Sequence, residues 1–326
     1  MADKISNMNK VAPTPKRPFI IVAPPYTRLS AGITVLYILC HYLNKCGEQA
    51  FIFHYPQNCF PINVGGAGLG LVDQTEVPLG FQAPLITQPY LDMYDAMGLT
   101  PIVIYPEIHD NPLNVPFFGR YILNYPGALA PQYQQKENFS VGYTKTLCDA
   151  VTSAFPDHPP CDDILFIPTC DLDLWKPPAG EQKRSGTCYY VGKLRAVHGC
   201  GDVDFSSLGT EILRDKKMSR EEMRAIFQRS ETLYCFEDSS VALEAKLCGC
   251  EVVFLPNKHF NGVGLAANEL PLERDHEALR GTLQQYIADL PRTVGALAQK
   301  WQALADQAQP VGRLQAPLKT YYFYVN

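Results

Sequence analysis

The chain has 326 residues, 46% of them hydrophobic and 19% charged, which suits two ordinary domains with a core each. Its net charge of −5 and the lack of a Lys/Arg block give no electrostatic reason to expect a nucleic-acid partner, although a small anionic ligand remains compatible. The longest apolar run, ITVLYILC, is far below the roughly 20 residues that cross a bilayer, so no membrane span is expected.

The N-terminal stretch is polar and contains proline, so residues 1–18 are predicted to be a flexible lead-in. It lacks the apolar core of a secretory leader. The eleven cysteines are scattered and include no Cys-x-x-Cys pair. We therefore expect reduced thiols in a cytoplasmic protein and no structural metal.

Strand and helix patterns alternate through the next 150 residues. Buried strands are predicted in PFIIVAPP, QAFIFHY, PIVIYPEI and DDILFIP. Helices are predicted from Ser30 to Lys45, with Gly47 as the stop, and in FFGRYILNYPG and TKTLCDAVTSAF. This alternation predicts a parallel sheet covered on both faces, forming a first domain over residues 19–170.

A Pro-, Gly- and charge-rich stretch, DLWKPPAGEQKRSG, indicates a linker over residues 171–185. The second domain, residues 186–310, has strands TCYYVG, TLYCF and EVVFL, a helix from Ser219 with a Ser219/Glu222 capping box, and a helix near 240–248. Helical stretches at 275–288 and 292–307 follow, then a tail over 311–326. The predicted fold class is α/β, with two Rossmann-like domains facing a central cleft, where ligands bind beyond the carboxyl ends of strands.

The stretch YCFEDSSVALEAKLCGCEVVFLP places Glu237, Ser239 and Ser240 at the mouth of a helix, whose free N–H groups and dipole favour an anion such as phosphate. Glu244 lies one turn later on the same face, where it could meet sugar hydroxyls. Spacing alone favours the alternative, in which Ser239 is an ordinary N-cap and Glu244 a solvated helix residue.

A second motif, YYVGKLRAVHG, ends a strand at Gly192 and continues with Lys193, Arg195 and His198. Basic groups at the carboxyl end of a strand suit a phosphate and can stabilise the charge of a departing diphosphate. In the alternative, these residues bind no ligand and are charged simply because the strand ends in solvent there.

The two motifs together resemble those of the retaining glycosyltransferases of the GT-B fold, in the glycogen-synthase-like and sucrose-synthase-like family. GKLRAVHG fits the family's first strand end, with Lys193 in place of Arg and His198 in place of Lys. EAKLCGCEVVFLP matches its helix Glu-Ala-x-x-x-Gly at Glu244, Ala245 and Gly249, and PTCDLDLWKP is similar to its interdomain phrase. The departure is Phe236, where the family often has a second Glu, with Glu237 beside it.

The resemblance implies an enzyme that transfers a sugar from a nucleoside diphosphate to a hydroxyl of a saccharide or lipid-linked saccharide, with retention of configuration and without a metal or other cofactor. Lys193 and His198 would hold the diphosphate, and Glu244 the ribose. The leaving phosphate would take the acceptor's proton. This chemistry suits the synthesis of capsule, O-antigen or another polysaccharide in the cytoplasm.

Acceptor-side candidates come from the first domain. They include Arg28 and Ser30, whereas Gly32, near the same helix start, is a donor-side candidate that would let backbone approach a ligand, unless it only relieves packing. The segment YPEIHDNPLNVPFFGRYILNYPG resembles part of some bacterial capsule and O-antigen enzymes. Glu107 there, counted among the catalytic candidates, would contact a sugar hydroxyl, and Arg120 would reach a phosphate. In the alternative, Glu107 caps a turn and Arg120 is a surface residue.

Three further features leave alternatives open. The glycine-rich residues 64–73 do not follow the first strand and lack Gly-x-Gly-x-x-Gly spacing, so a loop over the cleft is preferred to an NAD site. Asp-x-Asp triplets at 171–173 and 202–204 would suit a divalent ion, although basic residues are the preferred phosphate ligands. The tyrosine-rich tail favours either contact with a membrane surface or packing on the protein itself.

The rival functions are a non-catalytic nucleotide-sugar binding module and an NAD-dependent oxidoreductase.

Overall fold

The computed structural model describes residues 16–54, 77–78, 80–180, 183–196, 198–200, 203–214, 217–272 and 274–308. These residues form two parallel β-sheets, each with helices packed against it. The glycine-rich residues 64–73 and the tail 311–326 lie outside the described residues.

The first sheet is built from six parallel strands in the order β2-β1-β3-β4-β5-β6. Its strands are β1 (Phe19–Ala23), β2 (Ala50–His54), β3 (Ile102–Pro106), β4 (Phe118–Ile122), β5 (Phe139–Gly142) and β6 (Asp163–Ile164). The helices are α1 (Ala31–Lys45), α2 (Gln88–Ala96) and α3 (Lys145–Ala154). Every residue of β1 is buried, as expected of a central strand covered on both faces.

The second sheet has four parallel strands in the order β10-β9-β7-β8. They are β7 (Thr187–Tyr190), β8 (Thr210–Glu211), β9 (Thr232–Cys235) and β10 (Glu251–Phe254). The helices are α4 (Lys193–Ala196), α5 (Arg220–Arg229) and α6 (Ser240–Leu247). The predicted capping box of Ser219 and Glu222 is present at the start of α5. The three predicted strands and two predicted helices of this half are present in their predicted order, whereas β8 and α4 were not predicted.

One helix joins the two cores. The sequence indicates separate helices on either side of Pro291, whereas α7 (His276–Ala308) continues through the proline. Leu283 packs in the second core, and Trp301 packs in the first, stacked on Phe139 at 5.0 Å between ring centroids. Near the end of α7, Asp306 accepts a hydrogen bond from buried Arg17 at 3.0 Å. The predicted second domain, residues 186–310, thus differs from the structure, because the last turns of α7 belong to the first core.

FFGRYILNYPG, predicted as a helix, instead supplies β4. All five residues of this strand are buried, and a short, fully buried run has no periodicity that distinguishes helix from strand. Gly119 lies directly against the Phe139 ring of β5, where any side chain on Gly119 would overlap it. Strand β5 was also not predicted, because it has only four residues.

Loops from the carboxyl edges of the two sheets meet. Arg214, after β8, donates from Nη2 to the carbonyl oxygen of Arg28, after β1, at 3.4 Å. The N–H of Lys145, after β5, donates to Glu269, after β10, at 2.8 Å. The predicted α/β class, with two parallel-sheet domains whose carboxyl edges face each other, is confirmed.

Candidate functional site

The N-terminus of α6 lies at the carboxyl edge of the second sheet, directly after β9. Ser239 is its N-cap, with extended backbone, and its Oγ accepts from the Val241 N–H at 3.3 Å. The Ser240 hydroxyl instead accepts a hydrogen bond from Nη1 of Arg214. The plain N-cap interpretation therefore holds for Ser239, while the Ser240 hydroxyl binds the guanidinium of Arg214 at the N-terminus of the helix.

Glu244 is buried one turn into α6, so the alternative of a solvated helix residue is wrong. Its Oε1 lies 3.7 Å from Nη2 of Arg214. Burial raises the pKa of Glu244, and the charges of Arg214 and Arg220 partly offset that rise. The carboxylate of Glu244 thus lies one turn beyond the N-terminus of α6, next to the guanidinium of Arg214. Its contact with a ribose stays a prediction.

Arg214 is the residue that the sequence analysis missed. It lies in the charged stretch LRDKKMS, where nothing in the sequence distinguishes a functional basic residue from its basic neighbours. The preceding strand, β8, has only two residues and leaves no strand pattern to mark its carboxyl end. Only the pairing of β8 beside β7 brings Arg214 to Ser240 and Glu244.

The turn after β7 depends on Gly192 and Glu237. Gly192 has a positive φ of 55°, and a Cβ there would overlap the Glu237 carboxylate. Oε2 of that carboxylate accepts from the Lys193 N–H at 2.6 Å. Phe236 faces elsewhere and packs edge-on against Phe205 at 4.8 Å. Of the two neighbours, Glu237 is therefore the one directed at the Gly192 turn, where it binds backbone.

Lys193 is exposed and influences carboxyl groups from both domains. Burial raises the pKa of Glu107, at the end of β3, to about 7, although the Leu123 backbone hydrogen bond and the charge of Lys193 both oppose this rise. Asp238 shows the same balance, with burial raising its pKa and Lys193 among the groups that lower it. Glu107 also accepts from the Leu123 N–H at 2.9 Å, as in the turn-capping alternative. The charge of Lys193 therefore acts on Glu107 across the facing edges.

His198 stacks on His259, with ring centroids 3.8 Å apart and planes 9° from parallel. Burial lowers the pKa of His198, and nearby basic groups, including His259 and Lys193, lower it further. The lowered pKa favours the neutral imidazole. It can donate a hydrogen bond to a phosphate but brings no positive charge, in contrast to the family's lysine.

Two predicted arginines lie away from the other candidates. Arg195 pairs with Glu211 and lies over the Phe205 ring. Arg120 is fully buried, donates to Glu137 at 3.0 Å, and stacks 3.8 Å from the Tyr133 ring centroid. The prediction that Arg120 reaches a phosphate is wrong, as is the surface alternative, because its guanidinium is enclosed by protein acceptors.

The remaining candidates of the first domain surround the start of α1. Ser30 is the N-cap and accepts from the Ile33 N–H at 3.4 Å. A Cβ at Gly32 would meet only Leu123, at an ordinary contact distance of 3.6 Å. The packing-relief alternative therefore finds no support at Gly32. Arg28 is exposed, and its carbonyl accepts the hydrogen bond from Arg214.

The Asp-x-Asp triplets are engaged locally where they are described. Asp171 accepts from two backbone N–H groups of its own turn and pairs with Arg220 at 3.3 Å, while Asp204 accepts from Ser206. Asp202 lies outside the described residues. In the described part of the chain, no three His, Cys, Asp or Glu side chains converge as metal ligands. No described helix has the length and apolarity needed to span a bilayer.

No protein-family model matches the chain, and no curated protein sequence matches it. Solved structures show a weak likeness over most of the chain. The glycosyltransferase SnogD from Streptomyces nogalater is 13% identical, with 89% of this chain and 100% of that chain covered and a TM-score of 0.39. The spinosyn rhamnosyltransferase SpnG, complexed with thymidine diphosphate, is 12% identical, with 94% and 99% covered and a TM-score of 0.36. Acinetobacter baumannii MurG is 11% identical, with 93% and 98% covered and a TM-score of 0.34. Values this low do not establish a shared activity.

Proposed function

We propose that this chain is a GT-B glycosyltransferase that moves a sugar from a nucleoside diphosphate to a hydroxyl of an acceptor. One observation carries the proposal: a helix N-terminus, the guanidinium of Arg214 and the buried carboxylate of Glu244 meet at the facing edges of two parallel sheets. A helix mouth with an arginine suits a diphosphate, and a buried carboxylate behind it suits a hydroxyl-bearing ribose.

Each group has a defined task in the proposed reaction. The bond between the anomeric carbon and the diphosphate oxygen breaks, and its electron pair leaves with the diphosphate. Lys193 and Arg214 stabilise that charge, with the N–H groups of α6 and neutral His198 as hydrogen-bond donors. The acceptor oxygen bonds to the anomeric carbon, and its proton passes to the departing phosphate. Closure of the facing edges excludes water that would otherwise hydrolyse the donor.

Retention of configuration, independence of metal and a place in polysaccharide, O-antigen or capsule synthesis rest on the motif resemblance. The acceptor, a saccharide or lipid-linked saccharide, would lie against the first domain. The exposed side chain of Arg28 supports this placement. Glu107 would act indirectly here by fixing the backbone at Leu123.

A thermal-shift screen of UDP-, GDP-, CMP- and dTDP-sugars, followed by a donor-hydrolysis and transfer assay, tests the proposal. Glu244→Gln keeps the side-chain volume but removes the charge, and a charged hydrogen bond contributes about 1.5–3 kcal/mol. We expect roughly 10- to 100-fold weaker binding of the preferred donor, measured by calorimetry. The matched control, Glu277→Gln, changes an exposed carboxylate in the first turn of α7 and should bind as the wild type does.

Other outcomes select the rivals. Unchanged affinity in Glu244→Gln would remove Glu244 from the donor site. Donor binding without transfer or hydrolysis would indicate a binding module, and stabilisation by NAD alone would indicate an oxidoreductase. Loss of transfer in EDTA would contradict the metal-independent mechanism.

A further inference from the structure

Arg214 connects three parts of the molecule. It donates from Nη1 to the Ser240 hydroxyl at the start of α6, and its Nη2 lies 3.7 Å from the Glu244 carboxylate. The same Nη2 donates at 3.4 Å to the carbonyl oxygen of Arg28, which belongs to the first domain. One side chain of the second domain thus touches the helix mouth, the buried carboxylate and the opposite edge.

We propose that Arg214 is an interdomain clasp, which binds the diphosphate of the donor and holds the Arg28 loop, so that diphosphate binding draws the two edges together. This inference rests on the proposed function, because it assumes that a diphosphate occupies the mouth of α6. It adds a residue that has no counterpart in the sequence motifs, and it links donor binding to the arrangement of the domains.

The contacts of Nη2 leave it available for a ligand. Contacts of 3.4 Å and 3.7 Å exceed the roughly 2.7–2.9 Å of a strong charged hydrogen bond. A guanidinium carries five N–H donors, and two of them can form parallel hydrogen bonds to a phosphate. A phosphate at the α6 N-terminus would lie beside the Ser240 hydroxyl, and therefore beside Nη1 of Arg214.

Glu244 can tolerate a shift of Arg214 toward phosphate. Arg220 also acts on Glu244, so a second cation remains for this carboxylate. The helix mouth can therefore exchange a loose arginine–carboxylate contact for a bidentate arginine–phosphate contact.

The opposite edge offers a backbone acceptor and a second cation. The Arg28 carbonyl accepts from Arg214, while the exposed Arg28 side chain stands on the same loop. A bound diphosphate would attract both arginines from opposite sides. The clasp would thus favour nucleoside diphosphates over the corresponding nucleosides and couple their binding to closure.

The test compares Arg214→Gln and Arg214→Lys with the wild type, using UDP, GDP and dTDP and the matching nucleosides. By calorimetry, Arg214→Gln should bind the preferred diphosphate about 10- to 100-fold more weakly but the nucleoside equally well. Arg214→Lys keeps the charge without the fork and should fall between. Arg292→Gln, at an exposed arginine of α7, is the control and should match the wild type.

Hydrogen exchange of the peptide covering residues 24–30 tests the coupling. The diphosphate should slow exchange there in the wild type but not in Arg214→Gln. Wild-type diphosphate affinity in Arg214→Gln would overturn the clasp, and equal protection of residues 24–30 in both proteins would overturn the coupling. If Arg214→Gln does not fold, Arg214→Lys carries both measurements, with the same two outcomes against the proposal. A wild-type chain that binds no nucleoside diphosphate contradicts the proposed function itself.

Discussion

Two buried carboxylates at the site bind backbone N–H groups. Glu107 accepts from the Leu123 N–H at 2.9 Å, and Glu237 accepts from the Lys193 N–H at 2.6 Å. Each fixes a turn at the carboxyl edge of its sheet, one per domain. Both carboxylates therefore stabilise the protein by fixing the position of these turns. This stabilisation varies with pH because burial raises the pKa of each group.

The pKa of Glu107 gives a prediction for stability. In the folded chain it is raised from 4.5 to about 7, so between these values the folded state binds more protons than the unfolded state. The stabilising contribution is complete below pH 4.5 and is lost as the pH rises through 7. Glu107→Gln cannot titrate, so its free energy of unfolding should rise relative to the wild type by up to about 3 kcal/mol between pH 5 and pH 8. Urea denaturation at the two pH values measures this change. The same difference between the two proteins at both pH values would contradict the raised pKa.

Single residues at this site were predictable where their chemistry depends on local spacing. The Ser219 capping box and the Ser239 N-cap follow from the order of residue types alone. The burial of Arg120 and of Glu244 depends on neighbours that are distant in the sequence, and so does the role of Arg214. The lowered pKa of His198 likewise follows from burial and from the neighbouring His259, about 60 residues away along the chain.

Among the elements, α7 has the widest structural role, because its two halves pack in different cores. Leu279 and Leu283 lie in the second core, while Val294 and Trp301 lie in the first. The helix continues through Pro291, whose carbonyl accepts from the Cys46 thiol at 3.1 Å. A perturbation in one core should therefore reach the other through this helix.

Trp301→Ala tests that transmission. The ring is fully buried against Phe139 and Phe19, and truncating such a residue costs about 3–5 kcal/mol. Trp175, in the second core, becomes the one remaining tryptophan and reports on that domain. Its fluorescence should show a urea midpoint well below that of Trp301→Phe, which keeps a ring in place. Equal midpoints in the two variants would mean that the second core unfolds independently of the first.

The elements also show where sequence patterns lose information. Helices α1 and α5 have amphipathic spacing and caps, so both limits of α1 and the start of α5 were predictable to within a residue or two. Strand β4 is buried on both faces and β8 has two residues, so neither leaves a periodic signal. The continuity of α7 depends on packing around Pro291 that outweighs the helix-breaking tendency of proline.

At the scale of the whole molecule, the carboxyl edges of two parallel sheets face each other, and the contacts between them come from loops after strands. Arg28, Lys145, Arg214 and Glu269 all lie in or directly after such loops. The order of strands and helices predicted this architecture, because parallel sheets place their ligand sites at these edges. The contacts across the edges could not be predicted, since they depend on the relative position of two domains.

Hydrogen exchange across the chain, with and without UDP, GDP or dTDP, tests most directly whether these edges form a nucleoside-diphosphate site. The preferred diphosphate should slow exchange in peptides covering residues 190–199 and 236–247, because it would engage the Lys193 turn and the N–H groups of α6. Exchange in α2 should stay unchanged. Protection confined to residues 64–73, or no protection by any of the three diphosphates, would contradict the proposed site.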